Sequence, residues 1–137
     1  MLVRLFILLA LLLIGAGVVG LWRLFLWRRV RQLATVPVPE ELTQLVPTGP
    51  ALLYFTTKSC VQCRFQQTPI VTQLAAATQI PVHTVDAVEH ETLARFYGIM
   101  TVPTTIWLDK MRRPAAINHG LTGLALLCEQ AQEVYAR

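Results

Sequence analysis

Cys60 and Cys63 are the residues of this chain best suited to carry chemistry. Two residues separate them, so both sulfurs come within reach of a single S–S bond. Their setting gives the spacing its meaning. Residues 51–55, Ala-Leu-Leu-Tyr-Phe, form a short apolar run that suits a buried strand. Residues 65–80 read as a helix. The pair therefore sits where a strand hands over to a helix N-terminus. There the first-turn N–H groups are unpaired and carry the positive end of the helix dipole. A thiol so placed ionises more readily than a free one, and the thiolate is the nucleophile of disulfide exchange. On this reading Cys60, exposed at the helix tip, attacks a substrate disulfide, and Cys63, facing inward, resolves the mixed disulfide. Lys58 and Arg64 flank the pair and add positive charge that tunes the thiol pKa downward.

The other chemistry open to two cysteines is metal binding. Structural zinc needs four ligands, and Cys60 and Cys63 supply two. His83, His90, His119 and Cys128 are scattered, with no second closely spaced pair, so no metal site is expected. No cofactor is expected beyond the redox-active disulfide of Cys60 and Cys63. Cys128 falls on an apolar helical stripe and reads as a core thiol. Two alternatives stand beside thiol–disulfide exchange. One is a non-catalytic protein-binding module. The other is a metal chaperone.

Several elements must position the pair. Residues 39–46 suit a brief helix, with proline first and acids in the first turn. After the strand at 51–56 and the helix at 65–80, residues 81–86 read as a second strand and 89–98 as a helix stopped by Gly98. Residues 104–108 are a third strand and 109–113 a turn. Residues 114–118 are a fourth strand, placed at an edge by Pro114. From Leu124 the apolar residues recur at helical spacing. The order β-α-β-α-β-β-α implies a central sheet with helices on both faces.

The chain has 137 residues, of which 54% are hydrophobic and 15% charged. That is too apolar for an ordinary soluble domain. The excess is concentrated in residues 5–22, a run of 18 without a charge. As a helix it spans about 27 Å, near the roughly 30 Å of a bilayer core. Trp22 and Trp27 lie at its end, where interfacial aromatics are expected. No small-residue cleavage site follows, so residues 1–30 read as an uncleaved transmembrane anchor with a basic flank. Residues 31–50 read as a proline-rich linker holding the short helix, and 51–137 as the folded domain. Arg23, Arg28, Arg29 and Arg31 follow the span and only Arg4 precedes it. The positive-inside rule then places a single-pass protein in the cell membrane with its domain on the cytoplasmic side. Setting those five aside leaves 7 of the 12 basic residues against 8 acidic ones. The domain is near neutral and offers no basic face to nucleic acid. It is expected to be a monomer.

Taken together, the pattern resembles the thioredoxin family over about residues 50–137. A strand leads into Cys60-x-x-Cys63 at a helix start, and Asp86 ends the next strand. Residues 96–104 close on Val102-Pro103-Thr104, with Pro103 lying 40 positions after Cys63, and Gly120 follows at the place of a family glycine. The resemblance implies a thioredoxin-like fold, a central mixed sheet with flanking helices, here preceded by one transmembrane helix. It implies thiol–disulfide oxidoreductase activity toward protein thiols and disulfides. It also implies that Val102–Pro103 is cis, and that Val102, Pro103 and Thr104 bind substrate, the Val102 main chain pairing with a substrate strand. Three positions depart from the family pattern. Ser59 stands where many members have tryptophan. Tyr54 stands where many have a buried aspartate, thought to take a proton from the second thiol. Pro69 comes six rather than five positions after the second cysteine, which shifts the expected helix kink.

Overall fold

A computed structural model describes residues 2–47 and 49–136. The strand β1 (Ala51–Thr56) organises the sheet. Its residues 51–55 are all buried, which is why they read as an unbroken apolar run rather than an alternation. Successive side chains point to opposite faces, so β1 feeds two layers. Ala51, Leu53 and Phe55 pack with Leu42, Leu93 and Tyr97. Leu52 and Tyr54 pack with Cys63, Leu74, Trp107 and Leu127.

The sheet has the order β2-β1-β3-β4, with β2 at Val82–Asp86, β3 at Thr104–Leu108 and β4 at Pro114–His119. The β1–β2 pair is parallel and the β1–β3 and β3–β4 pairs are antiparallel. One face carries the short helices α2 (Glu40–Leu45) and α4 (Glu91–Tyr97); the other carries α3 (Thr68–Thr78) and α5 (Leu124–Ala136). Gly98 caps α4 at φ 63°, a left-handed conformation that favours glycine. A pair between His90 Nδ1 and Glu41 Oε1 at 2.7 Å ties the start of α4 to α2.

The N-terminal helix α1 (Leu2–Thr35) is one uninterrupted element of 34 residues. It is long and apolar enough, over Phe6–Leu33, to cross a membrane. It does not break at residue 30, because nothing between there and Pro37 interrupts a helix. Its last turns rest on the domain along β4. Leu33 packs against the α2–α4 layer, and Arg31 stacks 3.6 Å from the Trp27 ring centroid. The Arg29 guanidinium occupies the space a Cβ on residue 98 would need. The edge strand β4 is thus flanked by α1.

Candidate active site

The turn that delivers Cys60 to the helix closes with a Cys60 N–H bond to the Thr57 carbonyl at 3.1 Å. The next bond, from Arg64 N–H to the Cys60 carbonyl at 3.2 Å, opens the helix. Cys60 and Cys63 are joined by an S–S bond of 2.05 Å. The backbone N–H of Cys63 donates to Cys60 Sγ at 3.1 Å. That is the unpaired first-turn donor expected of a helix start, aimed at the sulfur that would carry charge when the pair is reduced. Cys60 is half-buried, whereas Cys63 is 1% exposed. Only the first sulfur can meet a large substrate.

The helix then departs from α geometry. Residues Cys63–Gln67 form a π-turn, and the Thr68 N–H reaches back five residues to the Cys63 carbonyl. A π-turn accommodates one residue more than an α-turn. Pro69 consequently falls in the first turn of α3, where its missing N–H costs nothing. The sixth-position proline is therefore absorbed by the irregular segment, and the distortion precedes Pro69 instead of lying at it. The same Cys63 carbonyl accepts the Tyr54 hydroxyl at 3.2 Å, and that hydroxyl lies 3.1 Å from Thr68 Oγ1.

Val102–Pro103 is cis. Pro103 is buried and its carbonyl accepts the Gly120 N–H at 2.8 Å, which ties the end of β4 to this segment. Val102 and Cys60 both pack on the layer that holds Cys63. Two flanking residues sit differently from the sequence expectation. Thr104 is expected to bind substrate; its side chain is buried and its Oγ1 donates to the Thr101 carbonyl at 2.7 Å. The strand pairing of β3 turns its side chain inward, where it shapes the loop. Lys58 is expected to tune the thiol; its Nζ is 2.6 Å from Glu89 Oε1. Glu89 raises the Lys58 pKa, so Lys58 holds its charge beside this carboxylate. Arg64 folds back over the turn, its NH2 donating to the Lys58 carbonyl at 3.4 Å.

Other groups complete the surroundings. The Asp86 carboxylate accepts the N–H groups of Val88 at 2.8 Å and Glu89 at 3.3 Å. The Val88 bond is the chief cause of its lowered pKa. His119, next to Gly120, is held below the ordinary imidazole value by partial burial and by the charge of Arg29. Exposed apolar residues sit within and around the pair's segments: Val61, Phe65, Met100 and Leu121. Among the described residues no three His, Cys, Asp or Glu side chains converge as metal ligands.

Gln67 escaped the sequence reading. It is completely buried, and its amide makes two bonds to one residue. Nε2 donates to the Thr122 carbonyl at 3.1 Å and Oε1 accepts the Thr122 N–H at 2.7 Å. The clamp joins the π-turn to the loop after Gly120. A lone glutamine inside an otherwise mixed helix offered no signal strong enough to find it.

No family model matches the chain, and no curated protein matches it either. Solved structures do. A mutant thioredoxin from Halobacterium salinarum is 25% identical with a TM-score of 0.62, over 72% of this chain and 87% of that one. Thioredoxin from Aeropyrum pernix is 24% identical with a TM-score of 0.58, over 72% and 85%. Thioredoxin 1 from Thermosipho africanus is 20% identical with a TM-score of 0.55, over 63% and 94%. The fold is thioredoxin-like, and the cysteine pair at bonding distance supports thiol–disulfide redox chemistry at a general level.

Proposed function

We propose that this thioredoxin-like chain is a membrane-tethered thiol–disulfide oxidoreductase that acts on protein substrates near the bilayer. One observation carries the reading: Cys60 is half-buried and its Sγ receives the Cys63 N–H at 3.1 Å, while Cys63 is buried. In the reduced pair that donor stabilises the Cys60 thiolate. Cys60 attacks a substrate disulfide, one substrate sulfur leaves as a thiolate, and Cys63 then displaces the other from Cys60. The Val102 main chain, next to the cis Pro103 and on the layer that holds Cys63, aligns an extended substrate segment. The exposed apolar residues Val61, Phe65, Met100 and Leu121 give that segment an apolar rim.

Helix α1 supplies the tether. The four arginines after the apolar run meet anionic headgroups, which places the domain on the cytoplasmic side, acting as a monomer. A reducing cytosol draws such a pair toward reductase work.

The test is exchange with a model protein disulfide, using the full chain in nanodiscs. Wild type reduces it. Cys60→Ser abolishes turnover, whereas Cys63→Ser accumulates a covalent adduct that survives denaturing, non-reducing electrophoresis. A Cys60→Ser protein that keeps both partner binding and cellular phenotype would instead identify a non-catalytic binding module. Tag accessibility on either side of the membrane reports the side.

A further inference from the structure

We propose that the cleft between α1 and the β3–β4 turn holds the headgroup of a phospholipid, and that its charges select a zwitterionic headgroup with a primary ammonium, of the phosphoethanolamine kind. The inference rests on the membrane reading of α1 above. The cleft has a volume of about 560 Å³. Trp27 and Arg31 line it from α1, Asp109 and Arg113 from the turn, and Glu133 from α5. Two guanidiniums and two carboxylates thus border one space. Among the described residues neither guanidinium has a carboxylate within 4 Å, so the cleft does not neutralise itself.

The chemistry of the lining sets the ligand. Arg31 stacks 3.6 Å from the Trp27 ring centroid, which holds its guanidinium in place. Asp109 Oδ1 accepts the N–H groups of Met111 at 2.8 Å and Arg113 at 2.9 Å. Those bonds close the turn and leave the second carboxylate oxygen for a ligand. A phosphodiester is a monoanion whose oxygens match the fork of a guanidinium. A headgroup that is only negative would also meet Asp109 and Glu133. A headgroup that carries an ammonium as well satisfies both signs, because three N–H donors are available to the carboxylates. The quaternary nitrogen of choline has no such donor and favours aromatic faces, and Trp27 is already stacked with Arg31.

Height and helix face assign the site to a lipid instead of a soluble phosphate ester. Trp27 comes five positions after Trp22, about 7.5 Å of rise, and each headgroup layer is roughly 5–8 Å deep. At about 3.6 residues per turn, Arg31, Trp27, Leu24, Gly20 and Gly17 fall on one face of α1. A Cβ added at Gly17 or Gly20 meets nothing within 4 Å. An acyl chain descending from the cleft therefore finds open space against the helix backbone at both positions, which a soluble ester cannot use.

The experiment places the full-length protein in nanodiscs of equal parts dioleoyl phosphatidylcholine, phosphatidylethanolamine and phosphatidylglycerol. Native mass spectrometry of the released protein then counts the lipids that stay bound. Wild type should keep phosphatidylethanolamine about fivefold over either other lipid. Arg31→Gln combined with Arg113→Gln should erase that preference, whereas Arg31→Lys combined with Arg113→Lys, which keeps both charges, should retain most of it. Glu133→Gln should raise phosphatidylglycerol toward the phosphatidylethanolamine level. Gly17→Leu combined with Gly20→Leu should lower total retention without changing the preference among headgroups. No preference in wild type, an unchanged preference after Arg31→Gln with Arg113→Gln, or full retention after Gly17→Leu with Gly20→Leu would overturn the proposal. So would a wild type that prefers phosphatidylglycerol, which marks a basic flank acting by charge alone. A wild type that does not enter nanodiscs at all would sink the membrane reading itself, a result distinct from entry without preference.

Discussion

At the scale of single residues, the two sulfurs differ in access more than in chemistry. Cys60 owes its exposure to ending a turn, and Cys63 owes its burial to facing the layer of Tyr54, Leu74 and Leu127. Asp86 plays a supporting part that pH can expose. Its carboxylate is held below the ordinary carboxylate range by the Val88 N–H, with a smaller contribution from Glu89. A depressed folded-state pKa contributes stability above the unfolded value of about 3.9, and that stability is lost as pH falls through the folded value. Asp86→Asn should therefore lower the urea midpoint at pH 7, and its difference from wild type should shrink as pH falls below about 4 and vanish once pH is below the folded value. A constant difference across that range would show that the carboxylate's charge is irrelevant. Cys60, Cys63 and the Val102-Pro103 segment were legible because backbone constraints single out those residue types. The inward turn of Thr104 and the capture of Lys58 by Glu89 were not. Both depend on contacts between residues far apart in the chain, 31 positions for the ion pair.

At the scale of elements, the π-turn is the informative feature. Its trace in the sequence was the proline one place late, which signalled an extra residue without saying where it would be housed. The hydrogen-bond shift to the Cys63 carbonyl houses it at Cys63–Gln67 and leaves Gln67 inside, clamped on Thr122. Gln67→Leu keeps most of the volume but strands a buried N–H and C=O of Thr122. At about 1–3 kcal/mol for each unsatisfied group, the loss should be roughly 2–6 kcal/mol in urea unfolding. A loss under about 0.5 kcal/mol would mean that water replaces the amide. Strand and helix order, by contrast, was legible throughout the domain, because each element carries its own period and stop signal. Apolar alternation hid in β1 only because both faces are covered.

At the scale of the whole molecule, α1 is where sequence and structure part most. Composition marks an apolar run, and proline content marks residues 31–50 as a linker holding a short helix. The structure instead carries the helix on to Thr35 and lays it along β4, a contact that no local pattern could announce. The proposed membrane role has a direct check. Arginine near a span centre costs about 2.5–3.5 kcal/mol per residue on insertion scales. Leu12→Arg combined with Ile14→Arg should move the protein from the carbonate-resistant membrane pellet to the soluble fraction. Retention in the pellet would show that the helix is not what holds it there.

Continuity of that helix also sets a working height. A slack leash would let the sulfurs sweep a broad shell of space, but a strut does not. Arg29 comes seven positions after Trp22, about 10 Å of rise, and lies against Gly98, five positions before Pro103. With α1 set in a bilayer as proposed, the reactive corner would hang a short, set distance above the lipid surface. Cysteines at that altitude would be within range, and those carried farther out by bulky partners would not.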